Sequence, residues 1–312
     1  MTQRVAILGY GAVGKDLAAR LTARGDAVRV VQRKAAGPLP SGVTFLAGDV
    51  AEPSVALAAT EGVDAVVCTI GVKYDAAVWE DLWPRIMANT LAGCARSGAR
   101  FLLADNLYMY GPQTRPLTED MPLTDFGRKP RLRAAITRQW QDAHAAGRVR
   151  ASAVRAADFY GARIATSVLS AFGVARLLAG KAAMSPYPAD NPHDMTYVPD
   201  FARALLSLID APDDAYGQAW HVPNAPTRTL RELFHLAAAI IGVPPRVSVL
   251  PRMLTPVIAL FAKEVGELAE MSFQWDRPYH VDASKFAKRF WSDATSFERG
   301  LAETVAAYRD AG

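Results

Sequence analysis

The sequence contains little cysteine and little histidine. Of its 312 residues only Cys68 and Cys94 are cysteines, and each lies in an apolar stretch. Two such cysteines provide neither a disulfide framework nor a cysteine-based zinc site. The 5 histidines are scattered without an i, i+4 pair or carboxylates at ligand spacing. We therefore expect no bound metal.

Long apolar runs are also missing. No uninterrupted apolar stretch approaches the roughly 18 residues that a membrane-spanning helix needs. The amino-terminal residues lack the apolar segment and small-residue cleavage site of a signal peptide. With 51% hydrophobic and 21% charged residues, the composition is typical of a globular protein with a large core. We therefore expect a reduced, cytoplasmic protein that does not bind membranes.

Neither sign of charge is in strong excess. The formal net charge is +4, and the one dense basic cluster is Arg128-Lys129-Pro130-Arg131-Leu132-Arg133. The stacking aromatic side chains that a nucleic-acid site would need are absent beside it. The cluster predicts either a solvated loop and helix start or a site for a phosphate group. We expect a small-molecule substrate and no nucleic-acid partner.

Short apolar, β-rich runs alternate with helix-like segments in the first half of the chain. The predicted strands are 4–8, 27–31, 43–46, 65–70, 101–104 and 151–155, and the predicted helices include 15–24, 85–97 and one that reaches residue 145. This alternation predicts βαβ units and a parallel sheet. The fold class is therefore α/β, a doubly wound parallel sheet of the Rossmann type.

The second half is less regular and predicts a smaller, mainly helical C-terminal lobe packed over the carboxyl edge of the sheet. Asp200 is placed to cap a predicted helix over 201–209. Thr229 with Glu232, and Thr295 with Glu298, have the spacing of capping boxes, in which a hydroxyl and a carboxylate satisfy the first free amides of a helix.

A glycine-rich turn follows the first predicted strand. Gly9-Tyr10-Gly11-Ala12-Val13-Gly14 has G-x-G-x-x-G spacing and opens a helix. Here Gly9 permits a tight turn, Gly11 lets a pyrophosphate approach the backbone, and Gly14 lets helix and strand pack closely. The free amides of the helix favour phosphate binding. The motif predicts a dinucleotide site, and the alternative is a glycine turn without a ligand.

The end of the second predicted strand distinguishes between cofactors. NAD enzymes usually carry an acid there for the ribose 2′-hydroxyl, whereas this chain has Gln32-Arg33-Lys34. Arg33 can pair with a 2′-phosphate, with Lys34 as a second charge, or both can be solvated surface cations. The pattern favours NADP over NAD. Asp49 and Val50 are placed for the adenine edge, and Ile70 and Gly71 for the diphosphate and nicotinamide ribose.

These motifs resemble the short-chain dehydrogenase/reductase superfamily, in its extended or atypical branch with the NAD-dependent epimerase/dehydratase family. The resemblance runs from end to end. It rests on the glycine motif, Gly48-Asp49-Val50, Asn89 in the predicted fourth helix, Tyr110-Gly111, Arg155 through Gly161, and Tyr197-Val198-Pro199-Asp200. It implies that Asn89 belongs to the cofactor site and that Asp158 approaches the nicotinamide amide.

The resemblance also implies a division into two domains. We predict a dinucleotide-binding domain over 1–165, with a returning segment near 194–225, and a substrate-binding lobe formed by 166–193 and 226–312. A homodimer through the predicted helices 85–97 and 133–145 is left open. His193 is a weaker candidate for the substrate pocket, and the alternative is a surface or core histidine.

The chain departs from the family at the catalytic positions. Asn106 stands where the family has its catalytic Ser or Thr, and the Tyr-x-x-x-Lys pair is absent. The closest match puts Lys129 and Arg133 at those two positions. They cannot repeat the proton exchange, because arginine does not deprotonate in proteins, but they can stabilise an oxyanion or bind an anion. Tyr108 is the nearest phenol by spacing and is either the proton source or a wall aromatic.

We therefore predict an NADP(H)-dependent oxidoreductase with a non-standard active site. It would transfer hydride to or from a small carbonyl, imine or activated alkene. One alternative is a non-catalytic NADP(H)-binding redox sensor, which the missing Tyr-x-x-x-Lys pair supports. Another is a nucleotide-sugar epimerase or dehydratase, although that chemistry relies on the missing tyrosine.

Overall fold

The computed structural model describes residues 2–35, 37, 39–162, 164, 166–250 and 263–310. The chain divides into two compact units. Unit 1 comprises Met1–Tyr110, Pro122–Ala156 and Phe201–His221, and unit 2 comprises Gly111–Met121, Ala157–Asp200 and Val222–Gly312. The chain therefore leaves unit 1 after Ala156 rather than near residue 165, and the returning segment is shorter than predicted. The excursion over 111–121 was not predicted from the sequence.

Unit 1 is built on a seven-stranded parallel sheet, which confirms the predicted fold class. The strand order is β11-β6-β5-β4-β1-β2-β3. The strands are β1 (Arg4–Leu8), β2 (Ala27–Gln32), β3 (Val43–Ala47), β4 (Ala65–Cys68), β5 (Arg100–Asp105), β6 (Ala151–Arg155) and β11 (Ala219–His221). The order reverses between β1 and β4, and ligands of such sheets bind at the carboxyl ends of the strands beside this point.

The strands of unit 1 are apolar because helices cover both faces of a parallel sheet. Every residue of β4 and β6 is buried. The helices are α1 (Ala12–Ala23), α2 (Pro53–Thr60), α3 (Ala76–Ser97), α4 (Lys129–Ala145) and α6 (Val198–Ile209). Strand β11 was missed because three residues are too few to show a period.

Helix α3 is the third helix of the chain, not the fourth, and it begins nine residues before the predicted start at residue 85. The Asp75 side chain caps it by accepting hydrogen bonds from the amides of Ala77 and Val78. The helix continues through Pro84, although proline removes one backbone donor. Trp79 and Trp83 are both buried. Their burial offsets the cost of the proline.

Among the described residues, unit 2 combines helices with three two-stranded sheets, and helices make up most of its regular structure. The strands are β7 (Asp158–Tyr160), β8 (Ala183–Ser185), β9 (Pro192–His193), β10 (Met195–Tyr197), β12 (Arg228–Thr229) and β13 (Val247–Val249). The helices are a π-helical segment (Val168–Val174), α5 (Ala175–Leu178), α7 (Leu230–Ile241), α8 (Lys263–Ala269), α9 (Ser284–Arg289) and α10 (Phe297–Arg309). Because β7 pairs with β10, the chain after residue 156 belongs to this unit. Short 3-10 turns lie at Tyr108–Tyr110, Asp213–Ala215 and Ser272–Gln274.

The capping predictions had mixed outcomes. The Thr229 box is confirmed, with both reciprocal hydrogen bonds at the start of α7. The Thr295 box is wrong, since Ser296 caps α10. Asp200 lies inside α6, and its carboxylate accepts hydrogen bonds from the amide and hydroxyl of Thr295. The Thr295 hydroxyl therefore donates to Asp200 instead of capping α10 as its spacing predicted.

Among the helices described, none is long and apolar enough to cross a bilayer.

Both cysteines lie in the core of unit 1, and burial raises the pKa of Cys68 to about 11 and that of Cys94 to about 12. Because the thiolate is the reactive form, both thiols stay protonated below these values. We expect neither to react with a disulfide reagent such as Ellman's reagent at about pH 8 in the folded protein, and both to react after denaturation. Rapid labelling of the native protein would contradict this packing.

Candidate functional site

The glycine loop between β1 and α1 forms an open cradle. Gly9 has φ +97°, and a Cβ there would lie 2.9 Å from the Ile70 Cα. A Cβ on Gly14 would lie 2.3 Å from the carbonyl oxygen of Gly9. Gly11, which precedes α1 without a side-chain cap, has open space within 4 Å of its Cβ position. These residues fit a pyrophosphate, because the free amides of a helix start face that space.

Two polar side chains that sequence reasoning missed hold this loop. The Gln32 side chain accepts a hydrogen bond from the amide of Tyr10 at 2.8 Å and donates to the carbonyl of Lys34 at 2.8 Å. The hydroxyl of Thr69 donates to the carbonyl of Gly9 at 2.8 Å. The available sequence signal for Gln32 was its position at the end of β2, where the family usually has an acid.

The middle residues of the motif contribute backbone rather than side chains. Tyr10 and Val13 are buried, and Ala12 is half-buried. Burial also raises the pKa of the Tyr10 phenol, which therefore stays neutral. The side chains of Tyr10 and Val13 thus pack inside unit 1, and their predicted contact with a cofactor is left to the backbone amides.

Arg33 and Lys34 follow β2, and both are exposed. Within the part of the chain that the structure describes, neither side chain forms a hydrogen bond or an ion pair with an acid. Two adjacent cations without a protein counter-charge suit the 2′-phosphate of NADP better than the 2′-hydroxyl of NAD.

The loop after β3 uses its polar residues to hold its own shape. The Asp49 carboxylate accepts a hydrogen bond from the amide of Ala51 at 2.9 Å, and the Asn89 amide donates to the carbonyl of Ala51 at 2.8 Å. Val50 is buried. Ile70, half-buried, and Gly71, exposed, follow the carboxyl end of β4. Asn89 therefore shapes the loop that carries the predicted adenine contacts.

A buried carboxylate organises the end of β5. Asp105 accepts a hydrogen bond from the amide of Asn106 at 2.8 Å, and the Asn106 side chain accepts one from the amide of Tyr108 at 3.0 Å. The guanidinium of Arg133 pairs with one carboxylate oxygen, and the Arg155 Nε lies 3.6 Å from the other. The side chains of Asp105, Arg133 and Arg155 are at most 2% exposed. Charge pairing thus fixes the turn that carries Asn106 and Tyr108.

The basic cluster seen in the sequence is not a basic surface. Arg128 forms an exposed pair with Glu80. Lys129 is buried, with its Nζ 4.9 Å from the ring centroid of Tyr74, and the Arg133 guanidinium lies 4.6 Å from the ring of Trp83. Two of the four cations therefore lie inside unit 1, at the start of α4.

Two tyrosines follow β5, in different environments. The Tyr110 hydroxyl accepts a hydrogen bond from Arg155 at 2.5 Å and lies 2.8 Å from the Nε2 of His221. The Tyr110 hydroxyl therefore bridges Arg155 and His221. Tyr108 is half-buried, with its ring stacked on Trp79 at 6.3 Å. Tyr110 is therefore part of an internal network, whereas Tyr108 reaches the surface.

In unit 2 the structure brings together two predicted residues that sequence reasoning did not connect. Asp158 is the first residue of β7, and its Oδ2 lies 2.9 Å from the Nε2 of His193 in β9. The contact of Asp158 with a nicotinamide amide stays a prediction.

The parallel sheet with its glycine cradle defines a dinucleotide-binding fold. The sequence profile described as the NAD dependent epimerase/dehydratase family matches residues 5–222. The chain belongs to this family. No curated protein sequence matches it significantly.

Solved structures with the same fold cover nearly the whole chain. The enzyme WbmH from Bordetella bronchiseptica, in complex with NAD⁺, is 20% identical, with 99% of each chain covered and a TM-score of 0.77. DesIV, a dTDP-glucose 4,6-dehydratase from Streptomyces venezuelae, is 19% identical, with 98% of this chain and 97% of that chain covered and a TM-score of 0.80. The UDP-glucose 4-epimerase of Thermus thermophilus is 20% identical, with 99% of this chain and 100% of that chain covered and a TM-score of 0.78.

Replacing Asp105 tests the charge pairing at the end of β5. Asp105→Asn leaves two guanidiniums without a counter-charge, so we expect the free energy of unfolding to fall by about 3–5 kcal/mol in urea denaturation. The matched control Asp190→Asn breaks an exposed pair with Arg231 and should cost less than about 1 kcal/mol. Equal losses would show that the buried pair is energetically unimportant.

Proposed function

We propose that unit 1 binds NADP(H) and that the protein is an oxidoreductase with a non-standard active site. The observation that carries this proposal is the open glycine cradle at α1 together with the exposed, acid-free pair Arg33 and Lys34. The amides before α1 would hold the pyrophosphate, and the two cations would hold the 2′-phosphate. The bound nicotinamide would supply or accept a hydride.

The proposed reaction is hydride transfer to or from a small carbonyl, imine or activated alkene. Tyr108 is the proposed proton source, because it follows β5 at the carboxyl edge and is half-buried rather than enclosed. Asn106 is proposed to face the substrate as the family's Ser or Thr does. Lys129, whose Nζ lies over the Tyr74 ring, is proposed to supply positive charge, and Arg133 is proposed to act through Asp105.

A second candidate function is nucleotide-sugar epimerisation or dehydration. Membership of the epimerase/dehydratase family over residues 5–222 favours it. Such reactions also begin with a hydride transfer and therefore need the same cofactor site. The missing Tyr-x-x-x-Lys pair weighs against it, as it does against any reaction that depends on that phenol.

A third candidate is a redox sensor that binds the cofactor without turnover. The ion pair of Arg133 with Asp105 favours this candidate, because an arginine that pairs with a protein carboxylate does not bind a ligand. A cytoplasmic location stays part of the proposal.

The proposal also includes a homodimer through α3 and α4. A groove of about 340 Å³ lies between these helices and is lined partly by Ala88, Ala92 and Ala95. Light scattering of the purified protein would show whether it is a monomer.

Cofactor preference tests the proposal first. We expect NADPH to bind at least about tenfold more tightly than NADH, because the 2′-phosphate gains charge-assisted hydrogen bonds. Arg33→Ala should remove most of this preference in a fluorescence titration. Arg96→Ala, which removes another exposed arginine of unit 1, should leave it unchanged. Failure to bind either dinucleotide would overturn both the oxidoreductase and the sensor.

The role of Tyr108 is tested by Tyr108→Phe. We expect turnover of a responsive carbonyl or imine from a screening panel to fall about 10²–10⁴-fold, the usual contribution of a positioned acid or base. NADPH affinity should stay within about twofold, since the ring and its stacking on Trp79 are kept. Tyr308→Phe in α10 is the matched control. Unchanged turnover in Tyr108→Phe would remove this phenol from the mechanism.

A further inference from the structure

A buried indole lies against the phenol that is proposed as the proton source. The rings of Tyr108 and Trp79 are stacked, with centroids 6.3 Å apart and an angle of 10° between their planes. Trp79 is 6% exposed, whereas Tyr108 is half-buried. Stacked aromatic pairs at this spacing attract each other by more than their buried area accounts for. The indole therefore favours one orientation of a ring that would turn freely if solvent surrounded it.

The indole is itself held at two points. Trp79 lies in the first turn of α3, where its amide donates a hydrogen bond to the carbonyl of Asp75 at 2.9 Å. Its ring Nε1–H donates to the carbonyl of Lys73 at 2.8 Å. A buried indole usually needs such a partner for its N–H. The backbone and the ring edge of Trp79 are therefore both fixed by the segment that precedes α3.

Two further rings surround the indole. Tyr74 lies edge-on to it, with centroids 5.5 Å apart and an angle of 80° between the planes, and Trp83 lies edge-on at 6.4 Å and 75°. Edge-to-face pairs at these distances are favourable. Turning the Trp79 ring would break one hydrogen bond and disturb three ring contacts together. Tyr108 is therefore stacked on a side chain that has little freedom to turn with it.

The indole joins the segments that follow two neighbouring strands. Lys73 lies in the segment after β4, Tyr108 lies in the turn after β5, and these two strands pair in parallel. The segment after β4 contains Ile70 and Gly71, which are predicted to contact the cofactor. Its carbonyl at Lys73 is bonded to Trp79, on which the phenol is stacked. One side chain therefore sets the place of the proposed acid relative to the segment that carries the predicted cofactor contacts.

We infer that Trp79 is a positioning residue for the proposed hydride transfer, because it holds the Tyr108 phenol in the orientation from which its proton is given. As a statement about catalysis this rests on the proposed function. Tyr108 would give its hydroxyl proton to the carbonyl oxygen or imine nitrogen as the adjoining carbon receives the hydride, and water would reprotonate the phenolate. A proton donor must lie within hydrogen-bond reach of its acceptor. A displacement of about 1 Å can lower the rate by about 10²-fold.

Packing alone explains less of this arrangement. Trp140 in α4 is a tryptophan that only packs: it is 0% exposed, it stacks on no ring of the described residues, and its Nε1 has no hydrogen-bond partner among them. Trp79 instead makes a hydrogen bond and lies against a half-buried tyrosine at the carboxyl edge of the sheet. Rigid, hydrogen-bonded support behind a reactive group is a feature of a preorganised site. Trp140 therefore supplies the matched control.

The first test needs no substrate. In full-length protein labelled with ¹³C at the ε carbons of tyrosine, the Tyr108 resonance is assigned by its loss in Tyr108→Phe. Trp79→Met removes the indole and its ring current but fills much of its space, and should move this resonance towards the position of tyrosine in the unfolded chain. Trp79→Phe keeps a ring and should keep most of the displacement, whereas Trp140→Met should leave the resonance in place. An unmoved Tyr108 resonance in Trp79→Met overturns the inference.

Turnover of the responsive carbonyl or imine separates positioning from packing. We expect Trp79→Met to lower kcat at least about tenfold, because the phenol loses its fixed place. The KM and the dissociation constant of NADPH should stay within about twofold, since a positioning residue acts on the transition state and not on ground-state binding. Trp79→Phe should restore kcat to within about threefold of the wild type, the residual loss matching one missing hydrogen bond. An equal fall in kcat for Trp79→Met and Trp140→Met contradicts the role of Trp79.

Urea denaturation shows whether each variant is folded. If Trp79→Met does not fold, the pair Trp79→Phe and Trp140→Phe carries the test. The first should lower kcat by about threefold through the lost bond to Lys73, and the second, which loses no such bond, should not. Equal kcat values in these two variants then refute the inference.

Tyr108→Phe is measured beside these variants. Unchanged turnover in Tyr108→Phe overturns the proposed function. Loss of turnover in Tyr108→Phe, combined with wild-type kcat in Trp79→Met, overturns the role of Trp79 alone.

Discussion

The charge pairing of Asp105 is the constraint on which the candidate site at the end of β5 depends. A carboxylate and two guanidiniums taken out of water lose several kcal/mol of hydration each, and this loss is offset only when their geometry is fixed. Arg133 from α4 and Arg155 from β6 converge on the end of β5. The same carboxylate receives the amide of Asn106. A helix and two strands thereby fix the backbone turn that presents Asn106 and Tyr108.

In the glycine loop, neutral side chains rather than charges fix the backbone. The loop around Gly9 is fixed by Gln32 and Thr69, each of which bonds to its backbone. These bonds leave the side of Gly11 free, since among the described residues nothing lies within 4 Å of its Cβ position. Gln32 also joins this loop to the end of β2, because its side chain bonds to the backbone of both Tyr10 and Lys34.

The sequence allowed prediction of the parts that depend on local chemistry. The six predicted strands, the glycine cradle and the Thr229 capping box all follow from short-range patterns, and the structure contains them. Contacts between distant residues were not accessible in this way. The pairs of Asp105 with Arg133 and of Asp158 with His193 join residues 28 and 35 positions apart. Nothing in their local spacing predicts these pairs, because the fold alone brings them together.

Contacts between distant residues also determine the roles of Lys129 and Arg133, which their positions along the chain do not reveal. Lys129 and Arg133 stand where the resemblance places a phenol and its lysine, yet Arg133 lies against a carboxylate and an indole. A lysine lowers a phenol's pKa only when its ammonium group lies close to the phenol oxygen. Here the arginine faces inward, so its charge supports the backbone of the neighbouring turn instead. The proposed hydride transfer would therefore take its proton from a group that the family pattern does not designate, and the half-buried Tyr108, which is the proposed source, lies in that turn.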